Sequence, residues 1–349
     1  MLSLGFDVET IVVDESYLSK YSDIDIKKSE VPKSLLKIMD VVYLKFKKII
    51  FAKAYDLSKK NRYACFCKFS EKYLHETEFS LISDTDAKII ENEFSYFVVG
   101  SDQVWNPDYT KCSPIYFLRF TNKNKRIAYA PSFSVSEIPD KSIDKYKNWI
   151  SDFKYLSVRE EDGARLIKEL TGINAPVLVD PTMLLTSDQW KLIANKASNK
   201  PNNEYIVTYF LGGVDETQQT EYSSFAKINN YSMINLGDIK DKETYETGPS
   251  EFIDYIKDAS LILTDSFHGV VFSILFKRPF VVYKRRGKEQ MYARIETLLD
   301  TFSLKDREYK NISFDKSIFQ IDFEHVDDVL KKERQRSFNF LKKGFNLID

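Results

Sequence analysis

The chain has 349 residues, of which 43% are hydrophobic and 30% are charged, a balance typical of an ordinary folded protein rather than a disordered or fibrous one. Its 51 Lys and Arg residues nearly match its 52 Asp and Glu residues, so it lacks the basic surplus with which nucleic-acid-binding proteins attract phosphates. The length is sufficient for two domains with separate cores, and nucleic acid is not an expected partner.

The first segment of the chain has neither a basic leader nor a long apolar stretch. Residues 1–15 carry acidic side chains where a secretory signal needs basic ones, and no window approaches the roughly 18 apolar residues of a membrane span. We therefore expect a cytoplasmic protein. Residues 2–5 have the pattern of a last helical turn that ends at Gly5, and residues 7–13 follow it as a strand. From this pattern we expect a strand and most of a helix to be missing upstream.

The sequence provides weak candidates for metal ligands. The cysteines are odd in number, which is typical of reduced structural thiols in a large chain: Cys65, Cys67 and Cys112. Two of these thiols and His75 do not make up the four ligands of a structural zinc site. The Asp-x-Asp pairs at residues 23–25 and 84–86 have the spacing of a glycosyltransferase metal motif, but a hard cation needs several converging oxygens. We therefore expect no metal and no other cofactor.

The first half of the chain changes from helical to alternating patterns. Residues 30–80 carry Leu, Phe and Tyr at helical spacing and predict helices. Short apolar runs closed by polar residues or glycine predict strands within residues 95–102, 126–133, 154–162 and 175–182. Helical segments at 144–153 and 160–170 lie between them. Strands that alternate with helices indicate a parallel sheet that is covered on both faces.

A polar stretch separates this half from a second alternating series. Residues 186–204 begin as a short helix capped by Ser187 and become polar around Pro201, which predicts an interdomain linker. The pattern then predicts strands within residues 205–213, 232–237, 260–265 and 279–283, and helices at 216–229, 249–259 and 269–276. Two such units in tandem predict a cleft between them, with ligands at the carboxyl ends of the strands.

We therefore predict an α/β fold of two doubly wound, Rossmann-like domains that face a cleft, in residues 1–186 and 187–325. Residues 326–349 predict a basic helix whose apolar positions are Val329, Leu330, Phe338, Leu341 and Phe345. We expect this tail to pack on the body of the protein. Contact with a membrane surface is the alternative.

One of the three histidines, His268, lies where the strand within 260–265 ends and a helix is expected to begin at Gly269. Unpaired amides and the positive end of the helix dipole favour a phosphate or carboxylate there. The dipole lowers the pKa of the free histidine and a bound dianion raises it again, so His268 is a candidate general acid. Ser266, Phe267 and Gly269 beside it are candidate substrate contacts. The alternative is a core histidine whose partners are backbone groups.

Strand ends in the first half carry further polar groups. Gly100 permits a tight turn, and the candidates that follow it would face the cleft: Ser101, Asp102 and Gln103. Helix capping is the alternative for the first two. Arg159 also follows a strand, where its guanidinium matches a carboxylate or a phosphate. The alternative for Arg159 is a surface ion pair with Glu160 or Glu161.

Five segments, taken together and in order, resemble the polysaccharide pyruvyl transferase family: FVVGSDQVWNP (97–107), IAYAPSF (127–133), LSVREEDGARLI (156–167), VLVDPTMLL (177–185) and LTDSFHGVVFSILFKRPFVV (263–282). The resemblance runs from about residue 95 to about residue 310. It implies a two-domain fold like that of the GT-B glycosyltransferases, with the C-terminal helix packed back on the first domain. It also implies transfer of a pyruvyl group from phosphoenolpyruvate onto two hydroxyls of a sugar, which forms a ketal in cell-surface polysaccharide biosynthesis.

The resemblance also implies roles for single residues. His268 matches a family histidine associated with donor binding and is the natural acid, and Arg159 matches an arginine that would hold the donor. Asp102 is our hypothesis for the base. Some family members carry arginine where this chain has Ser266. One of three cations after the next strand would then supply the missing charge: Lys284, Arg285 or Arg286.

Two alternative functions share this architecture. One is a GT-B nucleotide-sugar glycosyltransferase, and the other is a non-catalytic sugar-binding family member. The sequence contains no G-x-G-x-x-G and no P-loop, which disfavours a dehydrogenase or an NTPase. The expected partners are phosphoenolpyruvate and a sugar, oligosaccharide or lipid-linked sugar acceptor. The expected location is the cytoplasm, with the inner face of the membrane as the alternative.

Overall fold

The computed structural model describes residues 1–13, 41–78, 80–81, 83–110, 112–287 and 289–348, without the side chains of residues 41–56 and 289–290. The predicted metal pair at residues 23–25 and the first part of the helical stretch 30–80 lie outside the described residues. Within them, strands and helices alternate as predicted, and the strands form two parallel sheets. The fold is therefore α/β.

The α-helices are numbered here in chain order: α1 (Val41–Tyr73), α2 (Asp84–Glu93), α3 (Pro107–Thr110), α4 (Ile143–Ser151), α5 (Glu161–Thr171), α6 (Ser187–Ile193), α7 (Glu216–Ile228), α8 (Lys242–Tyr245), α9 (Pro249–Asp258), α10 (Phe267–Leu275), α11 (Ala293–Thr301) and α12 (Phe323–Gly344). The strands are β1 (Phe97–Val99), β2 (Arg126–Ala128), β3 (Tyr155–Leu156), β4 (Tyr205–Tyr209), β5 (Ser232–Leu236), β6 (Leu261–Thr264) and β7 (Phe280–Val282). Short 3-10 helices occur at Leu2–Leu4, Pro114–Phe117, Lys123–Lys125, Asp140–Ser142, Pro181–Leu184, Glu289–Tyr292, Lys305–Arg307, Tyr309–Asn311 and Lys316–Phe319.

The first sheet contains three parallel strands in the order β1-β2-β3. The strand predicted within 175–182 is wrong as a full strand, because only Val177 bridges to Val158 before Pro181 begins a 3-10 helix. Residues 7–13 likewise make isolated parallel bridges at Thr10 and Val13 instead of a strand. Gly5 does end a helical turn, with a left-handed φ of 86°.

The second sheet contains four parallel strands in the order β5-β4-β6-β7, so β4 and β6 are central. Its side chains alternate between two apolar clusters. Val207 and Ile262 belong to one cluster, whereas their neighbours Ile206 and Leu261 belong to the other. Since alternate residues of a strand point to opposite faces, both faces of this sheet are covered, as a parallel sheet requires.

The two faces of the first sheet are covered by different parts of the chain. Val99 and Ala128 join a cluster of residues from the first half, whereas Ile127 packs with Leu341 and Phe345 of the C-terminal segment. Gly344 permits this contact, because a Cβ there would lie 3.1 Å from Ile127. The end of α12 therefore contacts the first sheet, although it follows the second sheet in the chain.

Several helix ends differ from the sequence prediction by one or two residues. Thr186 caps α6 and accepts from the Gln189 amide, where Ser187 was expected. Ser83 caps α2, so Asp84 lies inside the first turn. Helix α10 begins at Phe267 rather than at Gly269. In each case a hydroxyl upstream of the expected start reaches a free amide of the first turn, which extends the helix backwards.

Candidate active site

The turn after β1 brings Ser101 against a buried carboxylate. Gly100 has a left-handed φ of 149°, and a Cβ there would overlap the carbonyl oxygen of Tyr129. Glycine therefore lets the chain turn close to the neighbouring strand. Ser101 is buried beyond this turn, and its hydroxyl donates a hydrogen bond to Oδ2 of Asp180 at 2.7 Å. The predicted turn at Gly100 and its direction toward the strand ends are both present.

The guanidinium of Arg159 lies at the centre of the site, with only 3% of the residue exposed. Its Nη1 donates to Oδ2 of Asp180 at 2.7 Å, and its Nη2 donates to Oδ1 of Asp102 at 3.3 Å. Glu160 forms no ion pair with it, because its Oε1 accepts from the amides of Phe133 and Ser134 at 2.7 and 3.0 Å. The alternative of a surface ion pair is therefore wrong, since Arg159 is buried and its carboxylate partners lie elsewhere in the chain.

Asp180 is 2% exposed and connects three of these elements. Its Oδ1 accepts from the amide and the hydroxyl of Thr182, while its Oδ2 accepts from Ser101 and Arg159. Burial alone would raise the pKa of Asp180, but the charges of Arg159 and His268 and the Thr182 hydrogen bonds hold it well below the usual range. Asp180 is therefore a fixed anion behind the site.

His268 lies in the first turn of α10, directly after the cap Ser266. Its Nε2 is 3.9 Å from Oδ2 of Asp180, and 38% of its side chain is exposed. Burial by the surrounding protein and the charges of Arg159 and Arg294 lower its pKa, although Asp180 and Asp102 oppose the shift. The sequence attributed this lowering to the helix dipole; in the structure, burial contributes most. Unliganded His268 is therefore neutral at pH 7.

Two guanidiniums lie against one aromatic ring. The Cζ atoms of Arg159 and Arg294 are 4.3 and 5.8 Å from the ring centroid of Phe267, which is buried. Arg294 comes from the start of α11, and its Nη1 is 3.5 Å from Oδ1 of Asp102. Burial and repulsion by Arg159 lower the pKa of Arg294 to about 10, so it remains charged at pH 7. The aromatic face helps to hold two like charges together.

The remaining predicted residues of the first turn contact the same cations. With the amide of Gln103 turned so that its oxygen faces Arg294, that oxygen accepts from Nη1 and Nη2 at 3.0 and 3.2 Å. Asp102 is 65% exposed on its side chain and contacts both Arg159 and Arg294. Burial of its inner part opposes ionisation, but Arg159, His268 and Arg294 lower the pKa of Asp102. Asp102 is therefore an ionised group at the solvent side of the arginines.

The two arginines retain hydrogen-bonding capacity. Nε of Arg159 and Nε of Arg294 are both buried without a hydrogen-bond partner in the part of the chain that the structure describes. A cavity of about 190 Å³ borders both residues together with Asp180 and Phe267. Glu161, Glu333 and Arg336 also border this cavity. Two buried cations with free donors can bind a small anion that carries two charged groups.

Comparison with known proteins is consistent with this geometry. A sequence model described as polysaccharide pyruvyl transferase matches residues 2–286. The chain belongs to the polysaccharide pyruvyl transferase family. It is therefore a transferase.

The other comparisons found only distant similarity between this pyruvyl transferase family member and known proteins. A search of curated proteins finds no match. Among solved structures, the chain is similar to a UDP-GlcNAc 2-epimerase from Methanocaldococcus jannaschii in complex with UDP-GlcNAc and UDP, at 16% sequence identity and a TM-score of 0.37. That match covers 75% of this chain and 85% of the epimerase chain.

Three predicted substrate contacts of the family member make contacts within the protein. Gly269 allows α10 to approach β6, because a Cβ there would lie 2.5 Å from Oγ1 of Thr264. Lys284 is exposed, with its Nζ 5.2 Å from the Tyr292 ring. The Nε of Arg285 is 3.5 Å from a carboxylate oxygen of Asp265. A further guanidinium, that of Arg294 on α11, lies beside Arg159 on the Phe267 ring.

Ser266 caps α10, since its hydroxyl accepts from the Gly269 amide at 3.4 Å. It is buried and therefore acts on the backbone of the first turn. Where some family members have arginine, this chain thus has a helix cap, and the positive charge enters from α11 through Arg294. One feature of the sequence could have indicated that Arg294 is buried. It lies four residues before Leu298, on the buried face of α11. Nothing in the sequence identified Asp180 as a site residue beyond its place in the segment VLVDPTMLL.

The described residues contain no group of three or more His, Cys, Asp or Glu side chains that could hold a metal ion. The three cysteines are free, and each is partly buried: Cys65, Cys67 and Cys112. Within the described ranges, no helix has the length and apolar content that a bilayer crossing requires.

Proposed function

We propose that this pyruvyl transferase moves a pyruvyl group from phosphoenolpyruvate onto two hydroxyls of a sugar acceptor to form a cyclic ketal. The observation that carries the proposal is the buried pair Arg159 and Arg294, stacked on Phe267 beside His268. Phosphoenolpyruvate carries a carboxylate and a phosphate ester on the same carbon. One guanidinium for each group would neutralise the donor in a site where burial strengthens electrostatic attraction.

The proposed reaction conserves atoms and charge. A proton adds to the methylene carbon of the donor, and the neighbouring carbon becomes electrophilic. One sugar hydroxyl adds to that carbon and loses its proton. The second hydroxyl then forms a bond to the same carbon while the bond to the phosphate oxygen breaks, and hydrogen phosphate leaves with the second hydroxyl proton. No cofactor beyond the donor substrate is required.

His268 is the proposed acid. Its pKa is lowered in the unliganded protein, so it must gain a proton when the donor binds. A donor trianion near the imidazole would raise the pKa of His268 in the complex, and Asp180 at 3.9 Å would stabilise the imidazolium. Donor binding would therefore favour protonation of His268, so the acid would be ready for the first step when the donor is bound.

Asp102 is the proposed base for a sugar hydroxyl. It is ionised, exposed on the solvent side of the arginines and within reach of a ligand that enters from solvent. Its lowered pKa makes it a weak base in the free protein. When the donor anion occupies the arginines, Asp102 would lose part of their stabilisation, and its pKa and basicity would rise.

The arrangement of the chain supports a further part of the proposal. The two sheets have their own apolar clusters, so we propose domains at residues 1–186 and 187–325, with residues 326–349 as the returning helix. The site residues come from both halves, as in the cleft of a GT-B-like enzyme.

We propose a cytoplasmic location at the inner face of the membrane, where a lipid-linked sugar would be available.

Isothermal titration calorimetry tests the function. We expect phosphoenolpyruvate to bind the wild-type protein, and UDP- and GDP-sugars to give no heat. Binding of a nucleotide sugar without phosphoenolpyruvate would instead support a GT-B glycosyltransferase. No heat from any of these donors would support the non-catalytic, sugar-binding alternative and contradict the proposed reaction.

A further inference from the structure

A second cavity, of about 300 Å³, borders His268 but not Asp180, Arg159 or Arg294. Its walls include His268 and Ser266, so it shares the first turn of α10 with the proposed donor site. Tyr209 at the end of β4, Leu236 at the end of β5 and Phe252 of α9 also border it. It therefore opens at the carboxyl edge of the second sheet, where parallel sheets bind ligands.

Aromatic rings form much of the wall. The Tyr209 and Phe252 ring centroids are 5.1 Å apart, and those of Phe252 and Phe272 are 5.9 Å apart. Phe66 of α1 also borders the cavity and is 42% exposed. A large exposed ring beside a cavity gains little from folding, and it would gain contact area if a ligand covered it.

Helix α1 is fixed in place over this cavity. Ser58 and Asn61 donate to the two carboxylate oxygens of Glu246 at 2.9 and 3.0 Å. Arg62 donates to the carbonyl of Tyr245 at 2.6 Å, and its Cζ is 5.4 Å from the Phe66 ring. Arg62 and Phe66 are one turn apart, so the helix presents a guanidinium and a ring to the cavity together.

We propose that this cavity binds the pyranose ring of the acceptor sugar, an inference that rests on the proposed function. A pyranose has apolar C–H faces that stack on aromatic rings and hydroxyls that need a few polar partners. The aromatic wall offers the first, while Arg62, Thr244, Thr247 and His268 offer the second. The volume lies at the lower end of typical ligand sites and is sufficient for one sugar ring.

The position of His268 explains why this cavity, rather than another, would hold the acceptor. The ring nitrogen Nε2 faces Asp180 at 3.9 Å on the donor side, and the same imidazole borders the aromatic cavity. A sugar in this cavity would lie beside His268, next to the proposed donor site. Phe66 and Arg62 would then determine which sugars are accepted without contacting the donor.

Saturation-transfer NMR with methyl glycosides of glucose, galactose, mannose and N-acetylglucosamine tests this inference on the full chain, with and without phosphoenolpyruvate. We expect Phe66→Ala to weaken binding of the glycoside that wild type binds best by roughly five- to tenfold, the size of one lost aromatic contact. Tyr63→Ala is the matched control, since Tyr63 is an exposed aromatic residue of α1 that does not border the cavity. Circular dichroism checks that each variant is folded.

These measurements test the acceptor site independently of the proposed reaction. Equal glycoside binding by wild type and Phe66→Ala would overturn the acceptor site, and so would the absence of binding by every glycoside. Calorimetry with phosphoenolpyruvate on the same variants distinguishes the two ideas. Loss of glycoside binding with donor affinity unchanged supports the acceptor site. Glycoside binding by a wild type that fails to bind phosphoenolpyruvate would contradict the reaction and leave the sugar site standing.

Discussion

Asp180 contacts one of the two arginines that would hold the donor and lies near the histidine that would deliver the proton. It accepts from Ser101 and Arg159 and lies 3.9 Å from His268. The ionised carboxylates of Asp180 and Asp102 balance the charges of Arg159 and Arg294, so these four side chains carry no net charge before a ligand binds. Asp180 is a fixed anion beside the acid and one cation, whereas Asp102 is the exposed carboxylate that a ligand could replace at Arg294.

Replacing His268 by Gln removes the acid while keeping a polar side chain of similar size. We expect turnover to fall by at least about two orders of magnitude, which is typical of a lost general acid, with donor affinity changed much less. Steady-state measurement of phosphate release gives kcat, and calorimetry gives donor affinity. Unchanged turnover would return His268 to a packing role.

The two arginines are expected to respond differently to replacement by Lys. Arg294 pairs with the exposed Asp102, so Arg294→Lys should weaken donor binding about tenfold or more with little change in the free energy of unfolding. Arg159→Lys should weaken donor binding and also lower stability, because its ion pair with Asp180 is buried. Calorimetry and urea unfolding measure the two quantities. Donor affinity that is unaltered in Arg294→Lys would show that this arginine is structural.

The lowered pKa of His268 predicts how stability changes with pH. Because the unfolded chain takes up this proton near pH 6.5 and the folded protein does so only at lower pH, the unfolded state binds more protons in between. Stability should therefore decrease as the pH falls below about 6.5. Urea unfolding between pH 7 and 5 should show a smaller decrease for His268→Gln than for wild type. An equal decrease would mean that other groups cause it.

At the scale of elements, the positions of the strand ends determine which side chains lie in the site. Helix α10 starts at Phe267, which places Phe267 under the arginines and His268 at the cleft within one turn. Thr264 at the end of β6 fixes this start, because its Oγ1 accepts from the Ser266 amide and leaves no room for a side chain at Gly269. The close contact of strand and helix thus positions the candidate acid.

Adding a methyl group at Gly269 should shift this turn. A Cβ would lie 2.5 Å from Oγ1 of Thr264, so we expect Gly269→Ala to lower the free energy of unfolding by about 1–3 kcal/mol and to reduce turnover. Gly163→Ala is the control, because Gly163 is also the third residue of its helix and a Cβ there would lie 3.1 Å from the Phe133 ring, a milder contact than the 2.5 Å at Gly269. Chemical denaturation measures both. Equal effects of the two substitutions would contradict a specific contact at Gly269.

The alternating elements could be predicted from the sequence because each depends on short-range apolar periodicity. The position of His268 at a strand end followed from the run LILTD before it. Arg294 was missed because its partners lie far away in the sequence, and a buried arginine in a helix resembles any charged helix residue. The predicted strand within 175–182 was wrong because only Val177 pairs with the neighbouring chain before the 3-10 helix at Pro181 begins. Local patterns thus predicted the elements, whereas charge pairing depended on tertiary structure.

At the scale of the whole molecule, the C-terminal segment joins the end of the chain to its beginning. The ring centroid of Phe345 lies 4.4 Å from that of Phe6 and 5.2 Å from that of Tyr96, and its carbonyl accepts from the Tyr96 hydroxyl. Arg334 of α12 donates to the carbonyls of Met183 and Leu185. The helix therefore fixes the segment that connects the two sheets.

Truncation of Phe345 should measure this contribution. The side chain is buried, so we expect Phe345→Ala to lower the free energy of unfolding by about 3–5 kcal/mol. Lys343→Ala, an exposed position of the same helix, should change it by less than about 0.5 kcal/mol. Thermal and urea unfolding measure both variants. A small effect at Phe345 would mean that the tail contributes little to the stability of the fold.

The contacts of α1 limit how such a protein can be recombined. This helix precedes the first sheet in the chain, yet Ser58, Asn61 and Arg62 bind residues 245–246, which belong to the second half. A chimera joined at residue 186 that takes each half from a different relative would therefore pair α1 with a foreign partner. Exchange of α1 together with residues 237–252 would preserve the match, so these two distant stretches are the unit to move together when acceptor preference is engineered.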